Sequence, residues 1–193
     1  MKTLALHLFD ILENSVKAGA STVRLDIEGR GEWLRLRLAD NGPGFPEHFL
    51  ANPADPYATT RTERPVGLGL ALLQQAAEET GGHLRAGNSG EGGAVVEVDV
   101  DASHLDARPV GDLAELILDT AVAWPSLALT VVLRVESTEP ETVFDGEAVA
   151  EALGGIPLDR PEVRALLRRD LEEAFQPFND WLAKVVSVSR WTF

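Results

Sequence analysis

The chain has 193 residues, 45% of them hydrophobic, enough to bury the core of one large domain or two small ones. Its net charge of −14 argues against direct binding of nucleic acid or an anionic membrane, which need a basic surface. The absence of cysteine excludes disulfides and thiolate metal sites and fits a reducing, cytoplasmic setting.

MKTLALHLF begins like a signal peptide, but His7, Asp10, Glu13 and Asn14 break the apolar run, so no secretory signal is expected. No stretch is long and apolar enough to span a bilayer. The spacing predicts a helix over 3–18, stopped by Gly19. On it Asp10, Asn14 and Lys17 fall at i, i+4 and i+7 and share one face. Leu4, Leu8, Ile11, Leu12 and Val16 occupy the others. Residues 22–28 (TVRLDIE) and 33–39 (WLRLRLA) alternate apolar and polar side chains and predict two half-buried strands, with Gly29-Arg30-Gly31 as the turn. DNGPG at 40–44 then breaks the chain. Residues 46–66 carry four prolines and little periodicity, which predicts a loop or lid. A helix starts again from Gly67 (GLGLALLQQAAEE) and ends at Gly81-Gly82. Residues 83–87 and 94–100 read as two further strands around a glycine-rich turn.

Beyond residue 100 the character changes. ASHLDARPVGD reads as a linker into a helix, LAELILDTAVAW. LALTVVLRV is a predicted strand. AVAEALGG and PEVRALLRRDLEEAF are predicted helices, the second with Asp159 as its N-cap. Net charge is −5 over residues 1–100 and −9 over 101–193, which supports a boundary there. The expected division is 1–100 and a helix-rich α/β region at 101–193. The closing FNDWLAKVVSVSRWTF has spaced aromatics suited to packing on the body or on a partner.

Taken alone, a polar helical stripe is usually a solvated face, Asp-Asn-Gly a turn, and a glycine pair a tight loop. In this order, the asparagine-bearing helix, DNGPG and VGLGL resemble the N-box and the two glycine boxes of the histidine-kinase-like (GHKL) ATPase superfamily. Its members include DNA gyrase, the large heat-shock chaperone, mismatch-repair ATPases, sensor kinases and anti-sigma serine kinases. The resemblance covers about residues 1–100. It implies an α+β fold, a two-layer α/β sandwich with a mixed sheet (the Bergerat type), to which residues 101–193 add a small α/β region.

The resemblance implies ATP and Mg²⁺ as ligands. Asn14 would offer Mg²⁺ a hard amide oxygen. Asp10 stands where the family's ATPases place the carboxylate that orients or deprotonates water. Lys17 could reach a phosphate as a point charge, and Glu13 is read equally well as a rim charge. Asp40 would accept a hydrogen bond from the exocyclic amine of adenine. Gly42 and Gly44 would let the backbone approach the base. Gly67, Leu68 and Gly69 open a helix whose free N–H groups favour phosphate. Thr60 and Arg61 sit in the lid, where Arg61 would touch phosphate or remain solvated. Two departures stand out. Hydrolysing members usually have glutamate in place of Asp10, which is one methylene shorter. The family's threonine near the late G-x-G strand entry is Gly93 here.

Sensor kinases phosphorylate a histidine on a preceding hairpin, which is not expected here because the chain starts at the N-box helix. His7, His48, His83 and His104 do not cluster at metal-ligand spacing. Three functions stay open. One is an ATP-binding protein acting on a protein partner, as a kinase or an ATP-driven switch, with anti-sigma serine kinases the nearest analogy in size. The second is a sensor of ATP with little or no turnover. The third is a degenerate scaffold whose C-terminal half does the work. The whole chain is also similar, through LALHLFDILENSVKAGAS and SHLDARPVGDLAELI, to small stand-alone ATP-binding proteins encoded beside iron-hydrogenase genes. Partner, phosphoacceptor and homodimer formation stay open.

Overall fold

A computed structural model describes residues 3–47, 68–90 and 92–189. Its first helix, α1 (Leu4–Lys17), is capped by Thr3, whose hydroxyl accepts the Leu6 N–H, and stops at Gly19 with φ +98°. Leu4, Leu8, Ile11 and Leu12 are buried on the face that meets the sheet. Strands β1 (Thr22–Arg30) and β2 (Trp33–Asp40) form an antiparallel hairpin. The turn is tighter than Gly29-Arg30-Gly31 suggests. Gly29 and Arg30 remain in the ladder, pairing with Leu34 and Trp33, and only Gly31 and Glu32 turn. Gly31, at φ +59°, supplies the left-handed residue such a turn requires.

Next come α2 (Leu68–Glu78), β3 (His83–Asn88), β4 (Ala94–Asp101) and α3 (Leu113–Ala123). They are followed by β5 (Ala128–Val135), β6 (Glu141–Asp145), α4 (Gly146–Leu153), α5 (Pro161–Ala174) and α6 (Gln176–Ser189). The strands make one mixed sheet in the order β3-β4-β2-β1-β5-β6. Among the described strands only β1 and β5 pair in parallel. Val23, Leu25 and Ile27 of β1, Leu34, Leu36 and Leu38 of β2, and Val96, Val98 and Val100 of β4 point to one face. There they join one buried cluster with α1, α2, α3 and α6. The opposite face carries charges paired across strands, Arg37 with Asp26 and Arg35 with Asp99 among them. The hydrogen bond to Asp99 holds the Arg35 guanidinium above its ordinary range, against the opposing effect of burial and with help from the Asp99, Glu97 and Glu28 charges. This is the two-layer α/β sandwich with a mixed sheet.

Residues beyond 100 add to that same sheet and core. β5 lies against β1, with Leu25 opposite Val131. β6, which the sequence did not announce, extends the edge with Phe144 buried. The described part of the closing aromatic segment packs on the body. Phe178 and Trp181 of α6 are buried, and the Trp181 indole N–H donates to the Gly31 carbonyl at 3.0 Å. Asp159 does not cap α5. The N-cap is Arg160, with no side-chain cap bond, and Pro161 starts the helix. Its missing N–H belongs among the groups a helix start leaves unpaired anyway.

Candidate functional site

Asp40 ends β2 at the rim where α1 crosses the sheet, and it is tightly bracketed. Its Oδ2 accepts the Ser15 hydroxyl at 2.6 Å. Its Oδ1 accepts the backbone N–H of Gly42 at 2.9 Å and of Ala94 at 3.0 Å. An ionised carboxylate has about four acceptor sites, and among the described residues these three donors occupy three of them. Ser15 is a residue that sequence reasoning missed. Its one signal is its place beside Asn14 on the core side of α1. It is buried only because the end of β2 lies opposite.

The DNGPG turn is held by two asparagines. The Asn41 side-chain oxygen accepts the N–H groups of Ser21 and Thr22, both at 2.9 Å, and its amide donates to the Ser21 hydroxyl. Asn88, at the end of β3, accepts the Phe45 N–H at 2.6 Å and donates to the Phe45 carbonyl at 2.9 Å, imitating a strand partner. The glycines are there for space. A Cβ on Gly42 would stand 3.1 Å from Asp40 Oδ1, and one on Gly44, at φ +75°, 2.7 Å from Asn88 Oδ1. Gly93 explains the missing threonine. It sits at φ +86°, and a Cβ there would lie 1.8 Å from the Asp40 carbonyl oxygen, so no side chain fits. The hydroxyl on Asp40 comes instead from Ser15.

A second wall forms where α1 meets α2. Gly69 comes so close to the N-box helix that a Cβ on it would be 2.8 Å from the Asp10 Cβ. The chain thus brings the carboxylate-bearing turn of α1 against the start of the glycine-box helix. Asn14 is half-buried one turn after Asp10. Lys17 pairs with Glu13 on the exposed end of α1. Thr60, Arg61 and Gly67 lie outside the described residues, as does the rest of the predicted lid from residue 48; Leu68 is described as the first residue of α2.

The Ser15–Asp40 bond ties the asparagine helix to the aspartate that ends β2 beside the glycine turn, and Gly69 closes the next helix on the first. The profile of the "Histidine kinase-, DNA gyrase B-, and HSP90-like ATPase" family matches residues 2–104. The chain belongs to this ATPase family. Within the histidine-kinase-like family it is similar to AfsQ2, a signal transduction histidine-protein kinase of Streptomyces coelicolor. The two are 35% identical over 98 residues, 49% of this chain and 18% of that protein. It is also similar to DctB, a C4-dicarboxylate transport sensor protein of Pseudomonas aeruginosa, at 48% identity over 66 residues, 34% of this chain and 11% of that one. The chain therefore spans under a fifth of the length of these relatives. Among solved structures, the catalytic domain of the histidine kinase ThkA aligns with a TM-score of 0.41 and 21% identity, over 50% of this chain and 64% of that domain. No described helix is long and apolar enough to cross a membrane.

Proposed function

We propose that this chain binds ATP with Mg²⁺ at the Asp40 rim and acts as a kinase-like or ATP-driven switch on a protein partner. The observation that carries this reading is the open acceptor site on Asp40. Among the described residues three fixed donors aim the carboxylate and leave room for one more. The exocyclic amine of adenine supplies that donor. Guanine would bring a carbonyl there, setting acceptor against acceptor with no partner for either, which disfavours it.

The phosphates then lie between α1 and the start of α2, where free N–H groups and the helix dipole favour anions. Asn14 and Asp10 offer oxygen atoms on one face of α1, a donor set suited to Mg²⁺, which prefers hard ligands and keeps several waters. Bound there, the ion would neutralise phosphate charge. In this reading Asp10 orients a water or an acceptor hydroxyl. Lys17 is exposed and, among the described residues, pairs with Glu13 on the same helix, an interaction of little strength that a phosphate can replace. Phosphoryl transfer draws mainly on positioning and electrostatics, so this small set suffices.

His104, whose Nδ1 accepts the Asp106 N–H at 3.2 Å, is engaged within the segment after β4, and the phosphoryl acceptor of this reading lies on another protein. The alternative is an ATP sensor with little turnover, which the short Asp10 side chain favours. Calorimetric titration with ATP, ADP and GTP, with and without Mg²⁺, tests the reading. Binding of ATP without GTP is expected, and no nucleotide binding would overturn it. Phosphate release from the same sample then ranks switch against sensor.

A further inference from the structure

The segment after β4 runs back to the start of α1 and is tied there. Leu4 N–H donates to the Pro109 carbonyl at 3.0 Å, and Ala5 N–H to the Val110 carbonyl at 2.8 Å. Gly111, at φ +89°, lies so close that a Cβ on it would be 2.6 Å from the Thr3 hydroxyl oxygen. This strap delivers Arg108, whose side chain is only 16% exposed, into the angle between α1 and α2.

Arg108 reaches both helices. Its Nε and one terminal nitrogen lie 3.3 and 3.2 Å from Glu79 Oε2, just past the end of α2. The other terminal nitrogen lies 3.4 Å from Nε2 of His7, which is fully buried on α1. A guanidinium has only donors, so in this contact His7 Nε2 is the acceptor. His7 is one turn before Asp10, and the His7 carbonyl lies 3.5 Å from the Cβ position of Gly69. The same turn of α1 therefore meets the strap on one side and the glycine-box helix on the other.

We propose that Arg108 is a positioning residue for the triphosphate half of the ATP site, fixing α1 against α2 so that Asp10, Asn14 and Gly69 face the same phosphates. The inference rests on the ATP reading above. The adenine end depends less on it, because two of the three donors to Asp40, Gly42 and Ala94, lie off α1 and, among the described residues, none comes from the strap. Loosening the strap therefore separates the two ends of the ligand.

The test is calorimetry of the full chain with MgATP, MgADP and adenosine, for wild type, Arg108→Ala, Arg108→Lys and Glu79→Gln, each with a thermal melt. Arg108→Ala should lower MgATP affinity about tenfold, as small misplacements of a positioned group do, while adenosine affinity stays within about threefold. Arg108→Lys keeps the charge but not the planar fork, so it should recover part of the loss. Glu79→Gln should follow Arg108→Ala in direction. Equal losses for adenosine and MgATP would make Arg108 merely structural and overturn the proposal, as would an unchanged ratio. If wild type binds none of the three, the ATP reading itself fails, which is a different result.

Discussion

Asp40 is held by three donors, and the proposed adenine amine is a fourth, so changing one oxygen to an amide has a definite consequence. In Asp40→Asn the two backbone N–H groups keep the remaining oxygen, and the new NH₂ faces Ser15 and the ligand amine. Donor then meets donor, and ATP affinity should fall by about 1–3 kcal/mol, the usual effect of mispairing a buried polar group. Calorimetry reads this directly, and unchanged affinity would remove adenine from this position. Gly93 makes a different prediction, about folding. Any side chain there must hold φ near +86° and also displace the Asp40 carbonyl. The backbone conformation alone opposes an L-residue by about 1–2 kcal/mol. Gly93→Ala should lower the melting temperature and shift Asp40 with it; a variant as stable as wild type would show that the loop yields. Restoring the family's threonine at 93 should therefore harm this chain.

Helices α5 and α6 are fastened in two ways, and each can be tested. At α6 the fit is steric. Trp181 lies over Gly29, where a Cβ would sit 2.7 Å from the indole ring. Gly29→Ala should destabilise by about 1–3 kcal/mol, as overpacking does. Combined with Trp181→Leu the two changes should sum to less than their parts in denaturant melts, because the first clashes with what the second removes. At α5 the fastening is ionic. Arg168 reaches Asp112 at 2.6 Å and Glu172 at 2.7 Å, and Arg164 reaches Asp119 at 2.7 Å. Burial opposes the Asp112 charge, but the Glu115 N–H and Arg168 outweigh it and hold the carboxyl below its ordinary range. A depressed carboxyl stabilises above its unfolded value, about 3.9, and that contribution disappears as pH falls through the folded value. Asp112→Asn keeps an N-cap but loses the charge, so its melting temperature should depend less on pH below about 4. An unchanged slope would place the acid sensitivity elsewhere. These elements also mark what could be read from sequence. α1, the β1–β2 alternation and the glycine boxes were legible because local pattern and motif agreed. β6 was not, since ETVFD has a single buried side chain and gains its strand only from β5. Ser15 and Arg108 were not, because their partners are 25 residues and about 100 residues away in the chain.

Across the whole molecule, the half that matches the family and the half that does not share one sheet and one buried cluster. A chain cut after residue 104 would leave the β1 edge without β5 and expose the underside of α1 that α3 covers. Such a fragment should aggregate or melt without cooperativity; a sharp transition and a dispersed amide spectrum would make residues 105–193 dispensable to the fold. The parallel pairing of β1 with β5 carries a further consequence, in time rather than in space. β1 finds β2 within a few residues of leaving the ribosome, but its other edge waits about a hundred residues for β5, several seconds at ordinary rates of synthesis. During that interval the nascent chain presents the bare hydrogen-bonding edge of β1, an invitation to mispairing that ribosome surface or chaperone has to shield until β5 arrives.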